Sequence, residues 1–137
     1  MHDRPTVDEL LRAVELLLDE QLVPTLDGSR KYNARVAANV IRIARRELRH
    51  EETQLDAEWQ GLDLLLGPAA RPATLSSTKQ QLIERNRELS ERIREGDADA
   101  GRFRELVLAH VRDTVHAKME VSNPDWLAAP PSGDTTR

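Results

Sequence analysis

Glu47-x-x-His50 and Asp113-x-x-His116 set a carboxylate and an imidazole three residues apart. That is the spacing with which di-iron carboxylate bundles aim two ligands at one ion. The chemistry requires both pairs to turn inward, with further Glu residues projecting from neighbouring helices. Helical phase instead puts Asp113 and His116 ~80–140° from Phe103, beside Glu105 and Arg112 and off the line of Leu106, Val107 and Val111. Glu9, Glu20, Glu84, Glu88 and Glu91 fall on polar faces as well, so neither a metal centre nor any cofactor is expected. His110 differs, because it stands inside the apolar line, where a hydrogen-bonded core imidazole is expected. Asn86, on the inner stripe of the preceding segment, reads the same way; nothing in the spacing brings the two together.

Nucleophilic and phosphate chemistry fail on residue types. The chain contains no cysteine, which removes disulfides, thiolate metal sites and cysteine nucleophiles together. It lacks a G-x-S-x-G elbow and glycine-rich phosphate loops. Its three lysines, 31, 79 and 118, suggest no Schiff-base or phosphate-gripping site. The chain does not read as an enzyme.

The arginines offer binding instead. Arg35, Arg42, Arg46 and Arg49 recur at i, i+7, i+11 and i+14, which confines them to a stripe roughly 60° wide, bordered by Tyr32 and Asn39. A row of guanidinium forks suits carboxylate or phosphate partners. The other reading is a solvated face balanced by acidic neighbours. With 24 acidic and 20 basic residues the chain carries a net charge of −4, and no aromatic platform interleaves the arginines, so nucleic acid is not an expected partner.

Positioning any of these groups falls to helices. The length of 137 residues suits one domain, and Ala, Leu, Glu and Arg dominate, the residues a helix favours. A first helix opens at the Thr6-x-x-Glu9 capping box, carries Val7, Leu10, Leu11, Val14, Leu17 and Leu18 at helical spacing, and ends at Pro24. Residues 30 to 66 form the longest periodic stretch, with Val36, Val40, Ile43, Ala44, Leu48, Leu55, Trp59, Leu62 and Leu66. His50-Glu51-Glu52 interrupts that face, leaving one helix or two open. A third helix is expected from Ser77, capped with Gln80, to Gly96, with Leu82, Ile83, Leu89 and Ile93. A fourth is expected from about Asp99 to Val121 or Ser122, before Pro124. The expectation is an all-α, antiparallel bundle of about four helices over residues 1–127, with a disordered tail over 128–137. No apolar run is long enough for a membrane span, and the N-terminus lacks a signal-peptide layout, which points to the cytoplasm.

The series His2-Asp3-Arg4-Pro5-Thr6, Ala34-Arg35-Val36-Ala37-Ala38-Asn39, Arg45-Arg46-Glu47-Leu48 and Asn123-Pro124 resembles a bacterial domain-of-unknown-function family of small helical proteins. Such proteins are encoded beside an aminoglycoside-phosphotransferase-like kinase and an acyl-CoA dehydrogenase, and include the small accessory subunit of the levulinate-pathway 4-hydroxyacyl-CoA kinase. The resemblance implies a non-catalytic accessory subunit with that kinase as partner, and contact with acyl-CoA or nucleotide phosphates through it. It adds Arg4 and Asn123 to Arg35, Asn39, Arg42, Arg46 and Arg49 as candidate binding residues. The alternative is a self-sufficient helical homo-oligomer acting as scaffold or regulator.

Overall fold

A computed structural model describes residues 4–128. The expected capping box opens α1 (Val7–Leu16): the Glu9 backbone N–H donates to the Thr6 hydroxyl, and the Thr6 N–H to the Glu9 carboxylate. Two of the helix's orphan donors are thereby satisfied. Pro24 does not stop the chain abruptly, because α1 relaxes through a π turn (Leu17–Leu22) into a 3-10 turn (Val23–Thr25) that accommodates the proline at its start. Gly28, at φ +54°, then starts α2 (Gly28–Leu66), one uninterrupted helix of 39 residues. His50-Glu51-Glu52 causes no break: none of the three is a helix breaker, and polar residues can leave an apolar face without ending a helix.

Thr74, not Ser77, caps α3 (Leu75–Arg94), its hydroxyl accepting from the Ser77 N–H. A Schellman turn closes it at Gly96, φ +95°, where the Gly96 N–H reaches Ile93 O and the Asp97 N–H reaches Arg92 O. The last long helix, α4 (Gly101–Ser122), starts two residues later than expected, without a side-chain cap, and is followed after Asn123 by the short α5 (Pro124–Ala128). The described residues contain no strand. No helix among them is long and apolar enough to cross a membrane. The expected tail lies outside the described residues, apart from its first residue, Ala128.

The chain divides into two compact units, 1–50 and 51–137, with α2 contributing to each. The first is a helical hairpin of α1 and the N-terminal part of α2. Its buried apolar residues are Ala34 and Ala38, while Val36, Val40 and Leu48 of the expected stripe are exposed.

The second unit holds the main core: Trp59, Leu62 and Leu65 of α2, Leu82 and Leu89 of α3, and Val107 of α4, flanked by Phe103 and Leu106. Ile83 and Val111, expected inside, are exposed. Here α2 and α3 run parallel, because the connection 67–74 doubles back along α2, pairing Ala69 with Asp63 and Arg71 with Asp56. The result is pairing of Glu51 with Lys79 and Glu58 with Asn86. Arg85 and Arg92 of α3 serve the end of α2, donating to Gly67 O at 2.8 Å and Leu65 O at 3.1 Å. Carbonyls left over at a helix C-terminus favour such cations. Arg85 also pairs with Asp63 and covers the Trp59 ring, as Arg92 covers Phe103.

Candidate functional site

In the first unit, the arginine run of α2 meets a row of carboxylates on α1. Arg45 is the centre. Its side chain is 13% exposed, and it donates twice to Asp8, at 2.8 and 3.3 Å, and once to Glu15 at 2.6 Å. Arg42 pairs with Glu15 at 3.0 Å and with Asp19, and Arg49 pairs with Asp8 at 2.9 Å. The spacing explains the match, since Asp8 and Glu15 are seven residues apart on α1, as Arg42 and Arg49 are on α2.

These contacts set the electrostatics. Hydrogen bonds from Arg45 and Arg49 hold the Asp8 carboxyl down at about 2, from an ordinary 3.8. Burial pushes Glu15 upward, but Arg45 and Arg42 together outweigh it and leave the carboxyl below its ordinary value. The Arg45 guanidinium is in turn raised by Asp8 and Glu15. Arg42 and Arg49 are thus engaged within the chain, as the balanced-face reading expects. Arg45, absent from the stripe read in the sequence, is the residue that spacing analysis missed; its place one turn from both Arg42 and Arg49, whose interval matches that of Asp8 and Glu15, was the signal for it.

The remaining candidates are placed differently. Arg35 and Asn39 are exposed on α2, four residues apart, beside this ladder. Arg46 is half-buried and engaged in an interaction of its own. Arg4 is strongly exposed and lies 3.8 Å from Glu9. Asn123, in the second unit, is exposed and joins α4 to α5, its N–H donating to Met119 O and its carbonyl accepting from Trp126. The structure therefore groups Arg35, Asn39, Arg42, Arg46 and Arg49 along one helix and gives Asn123 a turn-forming role. Glu47, His50, Asp113 and His116 are all exposed, and His116 lies 3.6 Å from Glu120.

The second unit has a groove of about 240 Å³ between α3 and α4, lined by Asn86, Ser90, Ile93, His110, Val111 and Thr114 among others. His110 and Asn86, unconnected in the sequence, both face it. Asn86 donates to Glu58 at 2.7 Å and to Leu82 O. The Ser90 and Thr114 hydroxyls donate to Asn86 O and His110 O, each one helical turn back, which ties both protons to the backbone. Burial lowers the His110 pKa, only partly offset by Glu58 and Asp113, so the imidazole is neutral at pH 7.

Gly61 of α2 makes room for that ring. A Cβ there would lie 2.3 Å from His110 Nδ1 and 2.9 Å from Cε1. Gly61→Ala is therefore expected to lose about 1–2 kcal/mol, the overpacking cost exceeding the ~1 kcal/mol gained in helix propensity. Placed on a His110→Ala background, the same change should stabilise instead, since only the propensity gain remains. Urea unfolding of the four proteins checks the sign reversal; destabilisation on both backgrounds would mean that the imidazole is not what Gly61 accommodates.

The family described as Domain of unknown function (DUF6285) matches residues 24–126, about three quarters of the chain, and the protein belongs to it. The matched span takes in Ala34 to Asn39, Arg45 to Leu48 and Asn123-Pro124, and begins after α1. No curated protein and no solved structure matches the chain.

Proposed function

We propose that this member of the DUF6285 family is a non-catalytic accessory subunit, cytoplasmic like the partner it supports, an aminoglycoside-phosphotransferase-like kinase acting on a hydroxyacyl-CoA. The observation that carries the reading is the division of labour along α2. Arg42, Arg45 and Arg49 brace the hairpin through α1's carboxylates, while Arg35 and Asn39 project into solvent from the same helix. A guanidinium and an amide on a braced helix present donors whose backbone does not have to be ordered on binding. Their chemistry suits a carboxylate on the kinase surface, or a phosphate of acyl-CoA or nucleotide held by the kinase. In this reading the chain binds and orients, and phosphoryl transfer belongs to the partner. The series of residues on which the resemblance to kinase-associated proteins rests includes both Arg35 and Asn39, which adds support.

The test is a reconstitution. ATP-dependent phosphorylation of a 4-hydroxyacyl-CoA by the kinase is expected to rise on adding this chain, and the chain alone should turn over neither compound. Arg35→Gln combined with Asn39→Ala should keep the melting temperature, since neither side chain is buried, yet reduce that stimulation about tenfold. Wild-type affinity should fall as salt rises, because the contact is ionic, and the gap between wild type and variant should narrow. Full stimulation by the double variant, or turnover by the chain alone, would overturn the assignment.

A further inference from the structure

The hairpin of the first unit is short of a core. Its buried apolar residues are two alanines, Ala34 and Ala38, set against a ladder of ion pairs. Leu11, Leu18, Ile41 and Ile43 are half-buried, while six larger apolar side chains point outward: Val7, Leu10, Val14 and Leu17 on α1 and near it, and Val40 and Leu48 on α2, are 44–62% exposed. On each helix this stripe lies roughly 120° round from the ion-paired line. Antiparallel helices turn in opposite senses when viewed from one end, so both stripes come to the same side of the hairpin. On α2 the positions along the stripe include Asn33, Ala37, Ile41 and Ala44, with the exposed Arg30 and Glu47 at its border.

We propose that this face is the contact between two copies of the chain, whose hairpins close into a four-helix bundle about a two-fold axis. A two-helix layer with one apolar side has to bury that side against another layer, and a second identical hairpin is its simplest complement. The area agrees. Six half-exposed Val and Leu side chains offer on the order of 500 Å² per copy, the apolar share of a standard interface of ~800 Å² per partner. Arg35 and Asn39 lie off this face, so the pairing is independent of the kinase reading and leaves their surface open.

Sedimentation of the full chain alone, with no kinase added, is expected to give a dimer at micromolar concentration. The melting temperature should climb with protein concentration, as coupled folding and association require. Leu10→Glu and Val40→Glu, one on each helix, should each shift the mass to monomer and abolish the concentration dependence. A wild-type monomer with a concentration-independent melting temperature overturns the proposal, and so does a dimer that survives both substitutions. If the wild type is monomeric and Leu10→Glu still unfolds it, the face is covered from within the same chain, which overturns the proposal too.

Discussion

Leu62→Ala is expected to destabilise the second unit by about 3–4 kcal/mol. Leu62 is fully buried, with Trp59, Leu65, Leu82, Leu89 and Val107 in the same cluster. Those neighbours come from three helices, so the space vacated cannot be closed by one side chain changing rotamer. The loss is then the transfer term plus the cavity term. Leu64→Ala is the matched control: Leu64 is 75% exposed, and its truncation should cost no more than ~0.5 kcal/mol. Both tryptophans, Trp59 and Trp126, belong to the second unit, so their fluorescence during urea unfolding reports on that unit. Equal midpoints for the two variants would mean that the core is drawn in the wrong place.

Arg45→Met should loosen the docking of α1 on α2. The substitution keeps helix propensity and much of the side-chain volume. It also leaves Asp8 and Glu15, both partly shielded, without their shared cation. Backbone amides over residues 7–22 should then exchange roughly thirtyfold faster, while those around Leu62 keep wild-type protection. Acid should act on the same contact. Asp8 binds its proton less readily folded than unfolded, so its contribution is complete above pH 3.8 and is lost as pH falls toward about 2. In the second unit the sign for His110 is the same with a different window. Its lowered folded pKa means that the unfolded chain takes up the proton first, and stability declines as pH drops below 6.5. Acid titration followed by amide exchange should thus loosen the second unit before it opens the hairpin. Unchanged α1 exchange in Arg45→Met would show the ladder to be ornamental.

The arginine stripe illustrates how far local pattern reaches. Periodicity put Arg35, Arg42 and Arg49 on one face of one helix, and they are there. Whether that face met water, a partner or the chain itself depended on which carboxylates came opposite. Arg45, off the stripe as first read, became its most shielded member because α1 crosses α2 on that side. Charge spacing held the clue, but pairing i,i+7 with i,i+7 across an intervening turn needs a register, and a register is a tertiary quantity.

What the sequence determined by itself was the helical content, the capping box at Thr6 and Glu9, the break at Gly96 and the core of the second unit at Trp59, Leu62, Leu82, Leu89 and Val107. These follow from backbone preferences and from a 3.6-residue period, both of which act within a few turns of chain. The tertiary structure decided three things that no local rule contains. It ran α3 parallel to α2, since a connection of eight residues can either turn at once or double back, and an ion pair from Arg71 to Asp56 and a hydrogen bond from the Ala69 N–H to Asp63 hold it doubled back. It set His110 against Gly61, a contact visible only once two helices lie side by side. And it turned the apolar stripe of α1 outward, though its period is as regular as that of any core helix. A stripe states that a face has to be covered, and the cover is chosen by whichever surface the folded chain or its partner brings to it.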